Sequence, residues 1–249
     1  MRPVDYAVIA ASYDELPIRA RIEPDARLGE ALARAPGGRV LDVGCGTGLW
    51  LARQAARFGD AASSWCGVDP SEAMLARARA RLPEADLRVA PAERLPFDDA
   101  SFRYAATRFA HHHFDDLDAA IDALHRVLEP GGRLHWVNIA PEHMAGAWVF
   151  AWFSEARRMN ARYVPVEQLV ARLEGRGFRA RFAVACTQGT IAVREAIVQA
   201  RRRDQSHLYA LDDDAHARGL AALEALAARE PDATLPTESA VVTIDAERP

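Results

Sequence analysis

The chain is patterned as short apolar runs alternating with longer stretches in which apolar positions recur every three or four residues. Val40, Leu41 and Val43 form the first run and break into glycines, after which Leu49 to Phe58 has helical spacing and stops at Gly59. Trp65 to Asp69 reads as a second buried strand, and Ser71 stands as the N-cap of the helix EAMLARARARL. Leu87 to Val89, Phe102 to Phe109 and Arg133 to Ile139 read as strands three to five. Leu117 to Glu129 is amphipathic, and Pro130-Gly131-Gly132 is expected to end it. Such alternation implies right-handed crossovers and a parallel sheet. Ligands in these sheets bind past the carboxyl ends of the strands, where Gly44, Asp69, Glu93 and His112 all fall.

Beyond Ile139 the pattern changes. Residues 141–164 are rich in aromatic side chains, with Trp148 and Trp152 at i, i+4 on one helix face. Such a stripe is either buried core, a dimer contact, or a lid that floors a pocket for a flat substrate. Residues 165–177 form a helix ended by glycine, 178–186 are strand-like, 190–204 have helical spacing, and 212–230 are a helix N-capped by Asp212. Residues 239–245 alternate as a last strand. Ahead of the first strand, residues 1–36 hold Tyr6, Tyr13 and a helix-like LGEALARA, expected as a cap across the ligand mouth. Arg201-Arg202-Arg203 is read as a solvated helix end or an anion contact.

The candidate chemistry starts at RVLDVGCGTGLW, residues 39–50. A strand that turns through glycines into a helix lets a ligand lie against the main chain. A dinucleotide loop has the spacing G-x-G-x-x-G. Here Gly44, Gly46 and Gly48 are spaced G-x-G-x-G, and Asp42 precedes them, awkward for a pyrophosphate and suited to an ammonium group. Asp69 ends the second strand about twenty residues on, where a ribose-binding carboxylate belongs; the competing role is a cap for the helix that follows. The three adjacent histidines His111, His112 and His113 resemble metal ligands, but neighbouring side chains diverge, so no metal is expected.

With [D/E]-x-G-x-G-x-G at residues 42–48, the chain resembles the class I S-adenosylmethionine (SAM) dependent methyltransferases, in their small-molecule, quinone-methyltransferase-like branch. Three further segments are similar to that family: Ala92-Glu93-Arg94-Leu95-Pro96-Phe97; Arg108-Phe109 with His112-His113-Phe114; and RVLEPGG at residues 126–132. The resemblance implies a Rossmann-like, doubly wound α/β fold with a seven-stranded, mostly parallel sheet, whose last strand is antiparallel and inserted beside the fifth. It implies one methyltransferase domain over residues 1–249, made of the cap at 1–36, a SAM-binding core at 37–140, an inserted aromatic-rich substrate lid at 141–177, and residues 178–249 completing the sheet. SAM, leaving as S-adenosylhomocysteine, would touch Tyr13, Asp42, Gly44, Cys45, Gly46, Gly48, Asp69, Pro70, Ala92, Glu93 and Arg108. Pro70 would lie on the adenine face, with the Ala92 main chain and Glu93 at the adenine edge. The acceptor would meet Tyr6, His113, Trp148, Trp152 and Tyr163. If the acceptor must lose a proton, His112 or His113 is the base, since imidazole titrates near neutrality; otherwise proximity alone suffices.

Composition narrows the partners. Half of the 249 residues are hydrophobic, net charge is −4, and every basic side chain is Arg. That balance lacks the basic excess of a general nucleic-acid binder. Cys45, Cys66 and Cys186 fit neither a disulfide framework nor a zinc site. No apolar run reaches membrane-spanning length, so a soluble, cytoplasmic monomer or homodimer is expected. The expected activity is methyl transfer to N or O of a small planar heteroaromatic or phenolic metabolite in secondary metabolism. A quinone-type C-methyltransferase and a non-catalytic SAM-binding protein are the alternatives.

Overall fold

A computed structural model of the chain describes Asp14, residues 23–203 and residues 206–249. In order the elements are α1 (Ala26–Arg34), β1 (Gly38–Val43), α2 (Leu49–Phe58), β2 (Ala62–Asp69), α3 (Glu72–Arg81), β3 (Asp86–Val89) and β4 (Phe102–Arg108). There follow a 3-10 turn (His111–His113), α4 (Leu117–Val127), β5 (Leu128–Ile139), α5 (Trp148–Trp152), a 3-10 segment (Ser154–Arg162) and α6 (Val166–Glu174). The chain closes with β6 (Arg179–Ala192), α7 (Val193–Arg202), α8 (Ser206–Tyr209), α9 (Asp213–Arg229) and β7 (Thr234–Glu247). The seven strands lie in the order β3-β2-β1-β4-β5-β7-β6. Strands β1 to β5 pair in parallel. Main-chain bonds from Gly131 to Arg248 and from Ala140 to Ala240 run in opposite senses along β5 and β7, which makes that pair antiparallel. The parallel strands are those expected from the strand and helix alternation, and the Rossmann-like class with its antiparallel last strand beside the fifth is the one that the family resemblance implies.

The chain divides into two compact units. Among the described residues, the larger comprises Asp14 and residues 23–138, 166–183 and 242–249. Its core packs Val40 and Tyr104 from the sheet against Leu28 and Leu32 of α1 and Leu51 of α2. Asp25 caps α1 by accepting from the main-chain N–H of Arg27 and Leu28, and its other oxygen accepts from the Tyr104 hydroxyl and from His135 Nδ1, both at 2.6 Å. Burial alone would raise the Asp25 pKa; the His135 and Tyr104 bonds outweigh it and hold the carboxyl below its ordinary value.

The smaller unit comprises residues 139–165 and 184–241. Trp148, Phe150 and Phe153 pack there with Val193, Ile197 and Leu223. Asp212 caps α9 by accepting from Ala215 N at 2.8 Å, a contact worth about 1 kcal/mol.

Three element boundaries differ from the sequence reading. Helix α4 ends at Val127, and Pro130-Gly131-Gly132 lies inside β5 instead of capping the helix. The Gly131 N–H and the Gly132 carbonyl both bond to Arg248, so the β7 partner draws the turn into the strand, and the β4–β5 register shifts there. Residues 190–192, read as helical, close β6, and just past that strand Val193 N donates to Ala233 O, the residue ahead of β7, at 2.9 Å. The Trp148–Trp152 helix is only five residues long and continues as a 3-10 segment.

Candidate functional site

The glycine loop joins β1 to α2, and Gly44, Gly46 and Gly48 all have positive φ, at 76°, 55° and 70°. A Cβ at Gly44 would stand 2.6 Å from the Ala110 Cβ, and one at Gly48 3.0 Å from the Ala78 Cβ. Both conformation and space therefore require glycine at these two positions. The Cys45 side chain packs inward, where a Cβ on Gly67 would meet its Sγ at 2.9 Å. Burial pushes the Cys45 thiol well above its ordinary pKa, so it is a neutral packing group and no nucleophile.

The loop N–H groups are turned inward. Gly44 and Cys45 both donate to the Val68 carbonyl, Gly48 donates to the Cys45 carbonyl, and Gly46 donates to Asp69 Oδ2 at 2.9 Å. A pyrophosphate cradle works by aiming such donors at the ligand. Here they are engaged by the protein itself, and a carboxylate stands beside them.

Asp69 lies at the carboxyl end of β2, as expected. Its Oδ1 accepts from Ser71 N at 2.9 Å while Ser71 caps α3, so the ribose and cap roles do not exclude each other. Each oxygen keeps a further lone pair for a hydroxyl. Burial raises the Asp69 pKa against these two bonds. Asp42, at the end of β1, is buried outright. Desolvation raises its pKa to about 7, opposed by the Arg108 charge and reinforced by that of Asp69. Arg108 at the end of β4 is the reciprocal case, with desolvation lowering its pKa and Asp42 opposing the shift.

A tie at the start of α2 joins residues far apart in the sequence. Asp14 Oδ1 accepts from the Thr47 hydroxyl at 2.6 Å and Oδ2 from Arg81 Nη2 at 2.7 Å. Burial raises the Asp14 pKa, but these bonds bring it below the carboxylate norm. Tyr6 and Tyr13 lie outside the described residues.

Past β4, Phe109 adopts a left-handed φ of 53° and turns the chain into the 3-10 turn His111–His113. Strain of this kind persists where surrounding structure holds it; here Phe109 N donates to Val137 O at 2.8 Å. His111 is buried, and desolvation first, then the charge of His113, lower its pKa to about 4. Its Nδ1 lies 2.9 Å from Trp136 Nε1 and 2.8 Å from Asn138 Nδ2. The rings of His112 and His113 are tilted by 47° with centroids 3.9 Å apart. Among the described residues no three His, Cys, Asp or Glu side chains are gathered to hold a metal ion.

Ala92 is buried in a short 3-10 turn, and Pro70 is exposed. Glu93 reaches along the chain: its Oε1 accepts from Asp115 N at 2.8 Å and Asp116 N at 3.1 Å, tying the Ala92–Arg94 turn to the junction between the histidine turn and α4. Trp148 and Tyr163 are buried within the smaller unit, Trp148 edge-on to Phe153 and Tyr163 stacked on His207, while Trp152 is partly buried. These are the contacts of a packed core. Trp136 and Asn138, absent from the sequence reading, carry the hydrogen bonds of the histidine turn. Asn138 could have been found by the rule that located Asp69, since it too sits at the carboxyl end of a strand.

Comparison with known proteins follows the same lines. A family model described as a methyltransferase domain matches residues 40–132. The demethylmenaquinone methyltransferase of Chlorobaculum tepidum is 40% identical over 94 residues, 38% of this chain and 38% of that protein. Over residues 40–132 the chain is similar to the class I, SAM-dependent methyltransferases. It spans 38% to 55% of the length of such curated methyltransferases. Two solved structures share the methyltransferase fold. The phosphoethanolamine N-methyltransferase 2 of Haemonchus contortus, bound to phosphomonomethylethanolamine and S-adenosylhomocysteine, has a TM-score of 0.59 at 19% identity, over 99% of this chain and 61% of that one. The [4+2]-cyclase SpnF has a TM-score of 0.53 at 22% identity, over 90% and 80%.

SAM is the family's cofactor, and the residues present fit it. Gly44, Gly46 and Gly48 hold the loop in positive-φ conformations with no side chains on them, and Asp69 presents a buried carboxylate against Gly46. Among the described residues no helix is long and apolar enough to cross a membrane.

Proposed function

We propose that this protein transfers the methyl group of SAM to N or O of a small planar metabolite, heteroaromatic or phenolic, in secondary metabolism. The observation that carries the reading is the inward-bonded glycine loop with Asp69 fixed against Gly46. That arrangement suits a nucleoside carrying a cationic tail and is a poor cradle for phosphate. Net charge of −4 with no lysine supports a small-molecule acceptor over a nucleic acid.

When bound, SAM supplies a methyl group already activated on a positively charged sulfur. The chain's own task is then orientation and exclusion of water, which can lower a barrier by roughly 7–11 kcal/mol in favourable cases. Asp69 and the main chain at Gly44 to Gly48 hold the nucleoside, while Asp42 and Arg108 set the local charge beneath it. His112 and His113, at the carboxyl ends of the strands, face any acceptor that must form a hydrogen bond or lose a proton.

A second reading, C-methylation of a quinone precursor, is favoured by the stretch shared with a demethylmenaquinone methyltransferase. Supplying SAM with a 13C-labelled methyl to a metabolite extract tests both. Label attached to nitrogen or oxygen supports the first reading, label on ring carbon the second. Binding of S-adenosylhomocysteine without transfer to any compound leaves a silent SAM-binding protein, and failure to bind it overturns the cofactor assignment.

A further inference from the structure

A polar cavity lies at the other end of the sheet from the glycine loop. It has a volume of about 140 Å³, sits among α1, the amino-terminal halves of β4 and β5 and the end of β7, and has room for several waters or one small polyatomic ion. Arg27 and Arg34 of α1, Arg103 of β4 and Arg133 of β5 line it. Arg103 stands five residues ahead of Arg108 on the same strand, roughly 17 Å away, so the cavity is remote from the candidate cofactor site.

Four carboxylates balance these four charges in sum: Glu30 and Glu247 on the wall, and Asp245 and Glu129 beside it. The hydrogen bonds are not balanced. The closest approaches are Arg27 Nε to Asp245 at 2.5 Å, Arg103 Nε to Glu129, and Arg133 Nη1 to Glu247 at 2.9 Å. A guanidinium has five N–H donors, and among the described residues the remaining N–H groups of these three arginines donate no hydrogen bond. Arg34, in the last turn of α1, forms no ion pair among the described residues. The Arg103 and Arg133 side chains are only 27% and 24% exposed, so their spare donors are partly withdrawn from water. Gly131 keeps the head of Arg103 uncovered, since a Cβ there would stand 3.8 Å from Nη1.

We infer that this cavity binds a tetrahedral oxoanion, a phosphate group, on the spare donors of Arg34, Arg103 and Arg133. Donors arriving from three separate elements suit an anion whose oxygens point apart, whereas a single guanidinium fork satisfies the two coplanar oxygens of a carboxylate. The phosphate is a free ion or the head of a small phosphate monoester, and both present the same oxygens. Because the fixed charges cancel, hydrogen bonds hold the anion, and chloride does not replace it. The inference does not rest on the methyltransferase reading.

The test is calorimetric titration of the whole chain with inorganic phosphate and with methyl phosphate, at constant ionic strength set by sodium chloride. Saturable binding of inorganic phosphate is expected, weakened about tenfold by Arg34→Gln and by Arg133→Gln. Methyl phosphate binding as tightly as the free ion assigns the cavity to a monoester head group; methyl phosphate that does not bind assigns it to the free ion. Absence of saturable phosphate binding overturns the inference. So does an affinity unchanged in Arg34→Gln, which alters an exposed helix position and keeps the test open if Arg133→Gln does not fold. Phosphate displaced by S-adenosylhomocysteine would belong to the glycine loop, and that result also overturns it.

Discussion

Asp69 accepts the main-chain N–H of Gly46 at 2.9 Å, so the carboxylate that ends one strand also holds the loop that ends its neighbour. Ligand binding and loop geometry are joined in one side chain. Asp69→Asn keeps the shape and loses the charge. Hydrogen bonds to a charged group contribute about 1.5–3 kcal/mol, so affinity for S-adenosylhomocysteine should fall by roughly 10- to 150-fold. Calorimetric titration checks this, and unchanged affinity would remove Asp69 from the site.

Gly44 and Gly37 separate crowding from backbone strain. Both have positive φ, at 76° and 81°, but a Cβ at Gly44 meets Ala110 whereas one at Gly37 meets nothing within 4 Å. Gly37→Ala should cost about 1 kcal/mol from conformation alone. Gly44→Ala adds overpacking of about 1–3 kcal/mol and should also weaken cofactor binding. Urea denaturation of both variants gives the comparison; equal losses would mean that the Ala110 contact relaxes freely.

The buried cluster at Asp25 is a stability element away from the loop. Asp25→Ala leaves His135 and Tyr104 without their shared acceptor, and breaking a buried pair costs about 3–5 kcal/mol. Tyr104→Phe removes one donor and should cost about 1–2 kcal/mol. Chemical denaturation should rank the two in that order.

Stability should rise from pH 4 to pH 6.5. His111 and His207 each titrate at about 4 in the native state, both chiefly from burial, against 6.5 when unfolded. Between these values the unfolded chain binds the two protons and the native chain does not, so stability is lost as pH falls through the window. Asp42 acts in the opposite sense. Its native value of about 7 exceeds the ordinary 3.8, so its share of stability is present at low pH and declines as pH rises toward 7. Asp69, raised by burial, acts with Asp42, and His125, lowered by burial, acts with the two histidines; three histidines against two carboxylates keep the net sign, and ΔG of unfolding should rise with pH across the middle of the window. Denaturation midpoints measured across the range check the slope, and His207→Gln should flatten it.

Much of this protein is set locally. Glycines with positive φ, caps such as Ser71, Asp116 and Asp212, and apolar periodicity act over a few residues, so the sequence alone located the elements through β5 and put Asp42, Asp69 and the glycines at strand ends. What it could not decide depends on partners distant along the chain. Arg248 draws Pro130-Gly131-Gly132 into a strand, residues 190–192 join β6 where periodicity suggested helix, and Trp136 and Asn138 of β5 close on His111. A hydrogen bond between residues far apart in the chain leaves no trace in the spacing of either, and only the folded sheet, by laying β4 beside β5, brings those groups within reach.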